Sequence, residues 1–129
     1  HRHGRLLHVH FHGRCFETVA DFAEIGLDCV CPFERPPGGD VVGREGLDTV
    51  ARLLRGRTTV NGNVHTVETL ICGRPADARR EVGEILGAFA GNPRIIVGTG
   101  DQVGRETPAE NLHAMVDEAV RLSPAWRRG

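Results

Sequence analysis

Two histidines one residue apart, His10 and His12, are the residues of this sequence best suited to chemistry. They end an alternating run over residues 6–12, with Leu7, Val9 and Phe11 on one side and His8, His10 and His12 on the other. Neutral imidazole is the commonest protein ligand for zinc, so an H-x-H pair on one strand face reads as half of a metal site. A carboxylate from Glu34 or Asp101 would complete three protein ligands and leave a position open for substrate, as catalytic zinc requires. The expected metal ligands are therefore His10, His12, Glu34 and Asp101, and Asn61, Asn63 and His65 are expected to contact substrate. The competing reading makes the histidines polar filler, hydrogen-bonded to neighbouring strands.

The residue types that are missing narrow the chemistry. All 16 basic residues are Arg, which removes a lysine Schiff base and a phosphate-loop lysine. Tyr is absent and the one Ser, Ser123, lies beside Pro124 near the end, so neither a tyrosine acid nor a seated serine nucleophile is available. Cys15, Cys29, Cys31 and Cys72 read as free thiols, because 40% apolar residues can build a core without staples. Cys29 and Cys31 lack the spacing of structural zinc sites and are expected to be buried. Cys15, near a helix start, is given no role. Gly98, Gly100 and Gly104 do not match a dinucleotide loop, since the third glycine comes one position late.

A net charge of −1 with interspersed signs and 5% aromatics excludes a nucleic-acid surface as the expected function. No apolar run is long enough for a membrane span and no secretory pattern opens the chain, so a cytoplasmic protein is expected. The chain starts at His1 while its one Met is Met115, which suggests a piece of something longer.

Four strand-like runs, at residues 6–12, 28–33, 58–64 and 94–98, alternate with four helix-like runs. The expected helical stripes are Phe16, Val19, Ala20 and Ala23, then Leu47, Val50, Ala51 and Leu54. The third comprises Ala78, Val82, Ile85, Leu86 and Phe89, and the fourth Leu112, Met115, Val116 and Ala119. Residues 66–72 read as a short extra turn. Thr107 and Glu110 form an expected capping box, and Pro124 the expected stop of the last helix. Glu34 falls in a Pro- and Gly-rich stretch, residues 34–40, that reads as a long βα loop.

Strands alternating with helices at this spacing imply parallel pairing through right-handed crossovers, an α/β fold. Four βα units are half of a (β/α)8 barrel, which usually needs about 250 residues, so 129 residues read as one partial domain. Both outer strands would then carry unpaired backbone, to be met by a missing N-terminal half-barrel or by self-association. In such a barrel the active site lies where strands end, where His10, His12, Glu34, Asn61, Asn63, His65 and Asp101 all fall.

Several segments then share one resemblance. His10-Phe11-His12-Gly13, Gly26-Leu27-Asp28, Asn61-Gly62-Asn63-Val64, Leu70-Ile71-Cys72-Gly73-Arg74-Pro75-Ala76-Asp77 and Thr107-Pro108-Ala109-Glu110-Asn111-Leu112 follow one another as in the uroporphyrinogen decarboxylase superfamily. Over residues 8–119 the chain resembles the C-terminal half of that barrel. The superfamily includes methylcobamide:coenzyme M methyltransferases and related corrinoid-linked enzymes. In those, a His-x-Cys-Gly segment and a later Cys before the Thr-Pro helix start hold a zinc that activates a thiol. Here His10 matches the His, His12 replaces the first Cys, and Asp101 falls about where the later Cys would be. The exchange trades soft sulfur for nitrogen and oxygen and favours a harder metal or another acceptor.

The resemblance implies a metal-dependent methyltransferase using zinc or another divalent ion, a small-molecule substrate, and a corrinoid donor on a partner protein. The alternative within the superfamily is metal-free uroporphyrinogen decarboxylation, whose arginines and catalytic Asp come from the N-terminal half. Geometry alone also suggests an amidohydrolase-like site, but only three strands follow H-x-H and no bridging lysine exists. A non-catalytic half-barrel that pairs through its strand edges is the remaining alternative.

Overall fold

The structure, a computed structural model, describes residues 1–126. Strands and helices alternate: β1 (His8–Phe11), α1 (Val19–Ile25), β2 (Cys29–Pro32), α2 (Gly43–Leu53), β3 (Thr59–Val64), a short π-helix (Thr66–Ile71), α3 (Pro75–Ala88), β4 (Ile95–Thr99) and α4 (Ala109–Trp126). The strands form one parallel sheet in the order β1-β2-β3-β4. This is the expected α/β arrangement of four consecutive βα units.

The first three strands are shorter than their strand-like runs, and β4 is shifted by one residue. Leu7, for example, lies outside β1, yet its carbonyl accepts the N–H groups of Asp28 and Cys29 and so starts the β1–β2 register. In that register His8 stands beside Cys29 and His10 beside Cys31. Alternation then sorts the side chains. Val9, Phe11, Val30, Val60, Val64 and Val97 pack under the helices, and His8, His10, Cys31, Asn61 and Ile96 take the opposite side.

The core lies between the sheet and the helices. The stripes of α2 and α3 are buried as their periodicity implies: Leu47, Val50, Ala51 and Leu54, then Ala78, Val82, Ile85, Leu86 and Phe89. Two expected stripe members are not in the core. Ala20 is exposed because α1 begins only at Val19, and Val19, Phe22 and Ala23 form its buried face, stopped by Gly26 at φ 81°. Val116 is 52% exposed, since α4 turns Ala114 and Met115 inward instead. The Thr107 cap is not made either: its buried hydroxyl has no partner among the described residues, and α4 runs on past position 124 to Trp126. No helix among the described residues is long and apolar enough to cross a membrane.

Candidate metal centre at the carboxyl ends of the strands

His10 lies in β1 and His12 just past its end, before a turn at Gly13 with φ 90°. Their Nε2 atoms are 2.6 Å apart, so one ring donates an N–H and the other accepts. The His12 roles follow from its other side, where Nδ1 meets Glu34 Oε2 at 3.0 Å. An ionised carboxylate only accepts, so Nδ1 carries the proton and the Nε2 lone pair faces His10. Asp101 approaches from beyond β4, its Oδ1 3.8 Å from His12 Nε2. Nitrogens of His10 and His12 and a carboxylate oxygen of Asp101 all lie within 4.8 Å of one another, which suits a single cation.

Glu34 therefore stands behind His12 rather than beside Asp101. The same Oε2 also accepts the Gly13 N–H at 3.1 Å, and the Glu34 side chain is only 14% exposed. What steadies its Pro-rich loop is the next residue. Arg35 is nine-tenths buried, donates from Nε to the Asn63 carbonyl at 3.3 Å, and faces Glu84 at 3.5 Å and Glu81 at 3.9 Å. Glu81 in turn accepts the His65 N–H at 2.8 Å and the Thr69 hydroxyl at 2.7 Å. Buried charges are tolerated when paired and hydrogen-bonded in this way. The loop carrying Asp101 is tied by the Thr99 hydroxyl, which donates to the Asp101 carbonyl, and by the Gly100 N–H, which donates to the Val64 carbonyl.

The three residues expected to contact substrate separate in the structure. His65 Nδ1 accepts the N–H groups of Val67 and Glu68, so Nε2 must be protonated, and it donates to the Pro36 carbonyl at 2.8 Å. Both its nitrogens are thus used to cap the π-helix and hold the loop, and its ring edges a 230 Å³ groove beside Glu34 and Asp101. Asn63 is 1% exposed and donates its amide to the Phe33 carbonyl at 2.7 Å. Asn61 alone of the three reaches the larger groove, of 490 Å³, which is lined by His10, His12, Cys31, Asn61, Asp101 and Gln102 among others. Gly98 leaves it room, because a Cβ there would fall 2.6 Å from Asn61 Oδ1.

Cys31 and Gln102 are groove residues that the sequence reading did not select. Cys31 was expected to be buried; it is half-buried on the open side, with Sγ 3.1 Å from His10 Nδ1. The available signal was its alternation with Val30, which puts it on the side facing His10 once register is known. All four cysteines are free. Cys15 is buried and inert, its thiol pushed up to about 12 by burial and by its hydrogen bond to Asp40.

Parallel βα units with polar groups gathered at the carboxyl ends of the strands define a segment of a (β/α)8-type barrel. The chain belongs to the uroporphyrinogen decarboxylase (URO-D) family, which it matches over residues 1–122. It is 29% identical over 113 residues to a uroporphyrinogen decarboxylase from Paraburkholderia phytofirmans, covering 84% of this chain and 27% of that protein. A uroporphyrinogen decarboxylase from Burkholderia thailandensis is 28% identical over 115 residues, covering 86% of this chain and 28% of that protein. The chain thus spans roughly a quarter of the length of these curated relatives, 27% and 28%. In fold it is similar to a methyltransferase from Methanosarcina mazei, with a TM-score of 0.75 and 20% identity over 93% of this chain and 32% of that one.

Proposed function

We propose that this chain carries the metal-holding strand ends of a URO-D-family methyltransferase. His10, His12 and Asp101 are the ligands of one divalent ion, zinc or a harder cation, and a corrinoid is the methyl donor. The observation that carries the reading is the meeting of two imidazole nitrogens and a carboxylate oxygen within 4.8 Å at the carboxyl ends of β1 and β4. Nitrogen and oxygen donors without sulfur suit zinc and harder divalent ions. The ion supplies Lewis acidity, lowering the pKa of an acceptor group that enters its open position.

The chain's own residues do the rest. Glu34 holds the proton of His12 on Nδ1, which keeps the Nε2 lone pair for the ligand position. Asp101 contributes the one negative charge of the donor set. Asn61 and Gln102 offer uncharged hydrogen-bonding groups to orient the acceptor. The remaining strands, and the surface that meets a corrinoid protein, come from outside these 129 residues and pair with the edges of β1 and β4. Methyl transfer, rather than another metal-assisted reaction, rests on family membership and on the strand-end segment that resembles the superfamily's methyltransferases.

Decarboxylation of a tetrapyrrole is the second reading, favoured by the names of the curated relatives. A polycarboxylate calls for cationic partners, and among the described residues no Arg lines the 490 Å³ groove. Metal analysis of the full-length protein separates the two. One divalent ion per chain, lost in His12→Ala and Asp101→Ala, is expected. A metal-free protein that produces coproporphyrinogen would overturn the methyltransferase reading.

A further inference from the structure

His10 and Cys31 are register partners on adjacent strands, and both face the open side of the sheet. Cys31 Sγ lies 3.1 Å from His10 Nδ1, as Glu34 Oε2 lies 3.0 Å from His12 Nδ1. The two contacts are equivalent: β2 supplies one partner from within the strand and the other from the loop just beyond it. Each imidazole is gripped at Nδ1 from the β2 side, and each turns Nε2 inward, where the two nitrogens meet at 2.6 Å.

We propose that Cys31 is a positioning residue of the metal centre: when His10 presents Nε2 to the ion in place of the N–H it gives to His12, its proton sits on Nδ1 and the Cys31 sulfur accepts it. The proposal rests on the metal reading above. An imidazole that coordinates through Nε2 carries its proton on Nδ1, and that proton needs an acceptor. In metal sites the acceptor is usually a carboxylate or a carbonyl, and it sets both tautomer and ring orientation. Cys31 fills that place for His10 as Glu34 does for His12. Cys31 is thereby distinguished from Cys29, which faces the same side but stands one step lower, beside His8.

Cobalt(II) binding to the full chain tests this. Losing an outer-shell partner costs about 10–100-fold in metal affinity, and Cys31→Val is expected to fall in that range. Cys31→Ser, which keeps an acceptor, should stay within about threefold, and Cys29→Val should match the wild type. The wild-type cobalt spectrum should show no sulfur-to-cobalt charge-transfer band, since the sulfur touches the imidazole and not the ion. Unchanged affinity in Cys31→Val, with His12→Ala still losing the ion, would overturn the positioning role while leaving the metal reading intact. A charge-transfer band lost in Cys31→Ser would make Cys31 a ligand and overturn it differently. A wild-type chain that binds no cobalt removes the metal reading itself, and this role with it. Circular dichroism of each variant shows whether lost affinity reflects lost folding.

Discussion

On the helix side of the sheet, Val30 and Val60 are 1% exposed and Val64 0%, whereas on the other side His10 is open to solvent and Ile96 is 51% exposed. Both sides come from the same strands, one residue out of step. The helix side is close-packed, so its side chains report on stability. The open side is bound by few neighbours, so it can gather His10, His12, Cys31 and Asp101 around a groove. The difference teaches that stability and chemistry are separable here, and substitutions on either side should move one without the other.

The largest effect is expected on the covered side. Phe89 is fully buried at the end of α3, and Phe89→Ala should cost about 3–5 kcal/mol through lost transfer energy and the cavity left behind. Urea unfolding measures it. In variant protein that is still folded, metal affinity should be unchanged; a parallel loss of affinity would break the separation.

On the open side the expectation reverses. His12→Ala removes a ligand nitrogen and the partner of Glu34, and metal affinity should fall by more than about 100-fold, beyond the range for outer-shell losses. Its folding stability should shift by no more than about 0.5 kcal/mol, because the ring is exposed. Calorimetric titration with zinc and urea melts of the same sample give both numbers. A stable variant that retains full affinity would leave the histidines as polar filler.

How far the sequence foretold these two sides follows from what each depends on. The stripes of α2 and α3 were legible because a buried helix face repeats in sequence. Ala20 and Val116 were misplaced because a stripe's edge depends on where the helix starts and what it meets. The H-x-H pair and Asp101 were legible as donor types at strand ends. That Glu34 backs His12 was not, because its loop is set by Arg35 reaching Glu81 and Glu84, more than 45 residues away in the chain. Cys31 needed register, and a slip of one residue would have turned it to the other face. His65 looked like a substrate contact by position, but its two nitrogens had nearer work on Val67, Glu68 and Pro36.

A buried thiol next to a carboxylate gives the covered side a pH signature. Burial and the Asp40 hydrogen bond hold the Cys15 thiol near 12, against an ordinary 9.0. The folded chain keeps a proton that the unfolded chain releases, so this stability is present below pH 9 and is lost as pH rises towards 12. The slope is at most about 1.4 kcal/mol per pH unit. Asp40 works in the opposite sense. Its burial would raise the carboxyl, but hydrogen bonds from Cys15 and Phe16 outweigh that and hold it low, so its contribution disappears as pH falls through the folded value. Burial also pushes the Cys29 and Cys31 thiols up, so urea midpoints at about pH 8 and about pH 10.5 should diverge in the wild type and diverge less in Cys15→Val. Equal divergence in both would place the alkaline loss elsewhere.

The smallest effect bears most directly on the open side. Ile96 stands on the sheet face opposite the helices, in the edge strand β4, and Ile96→Ser in the 129-residue chain should cost no more than about 0.5 kcal/mol. The same change should cost more in a longer protein whose further strands close over that face, because an apolar side chain is worth about 1.5–3 kcal/mol when fully buried. A loss of that size in the 129-residue chain would mean that something already covers the sheet. A second copy of the chain is the available cover, and it makes the loss depend on protein concentration, which dilution before the urea melt would reveal.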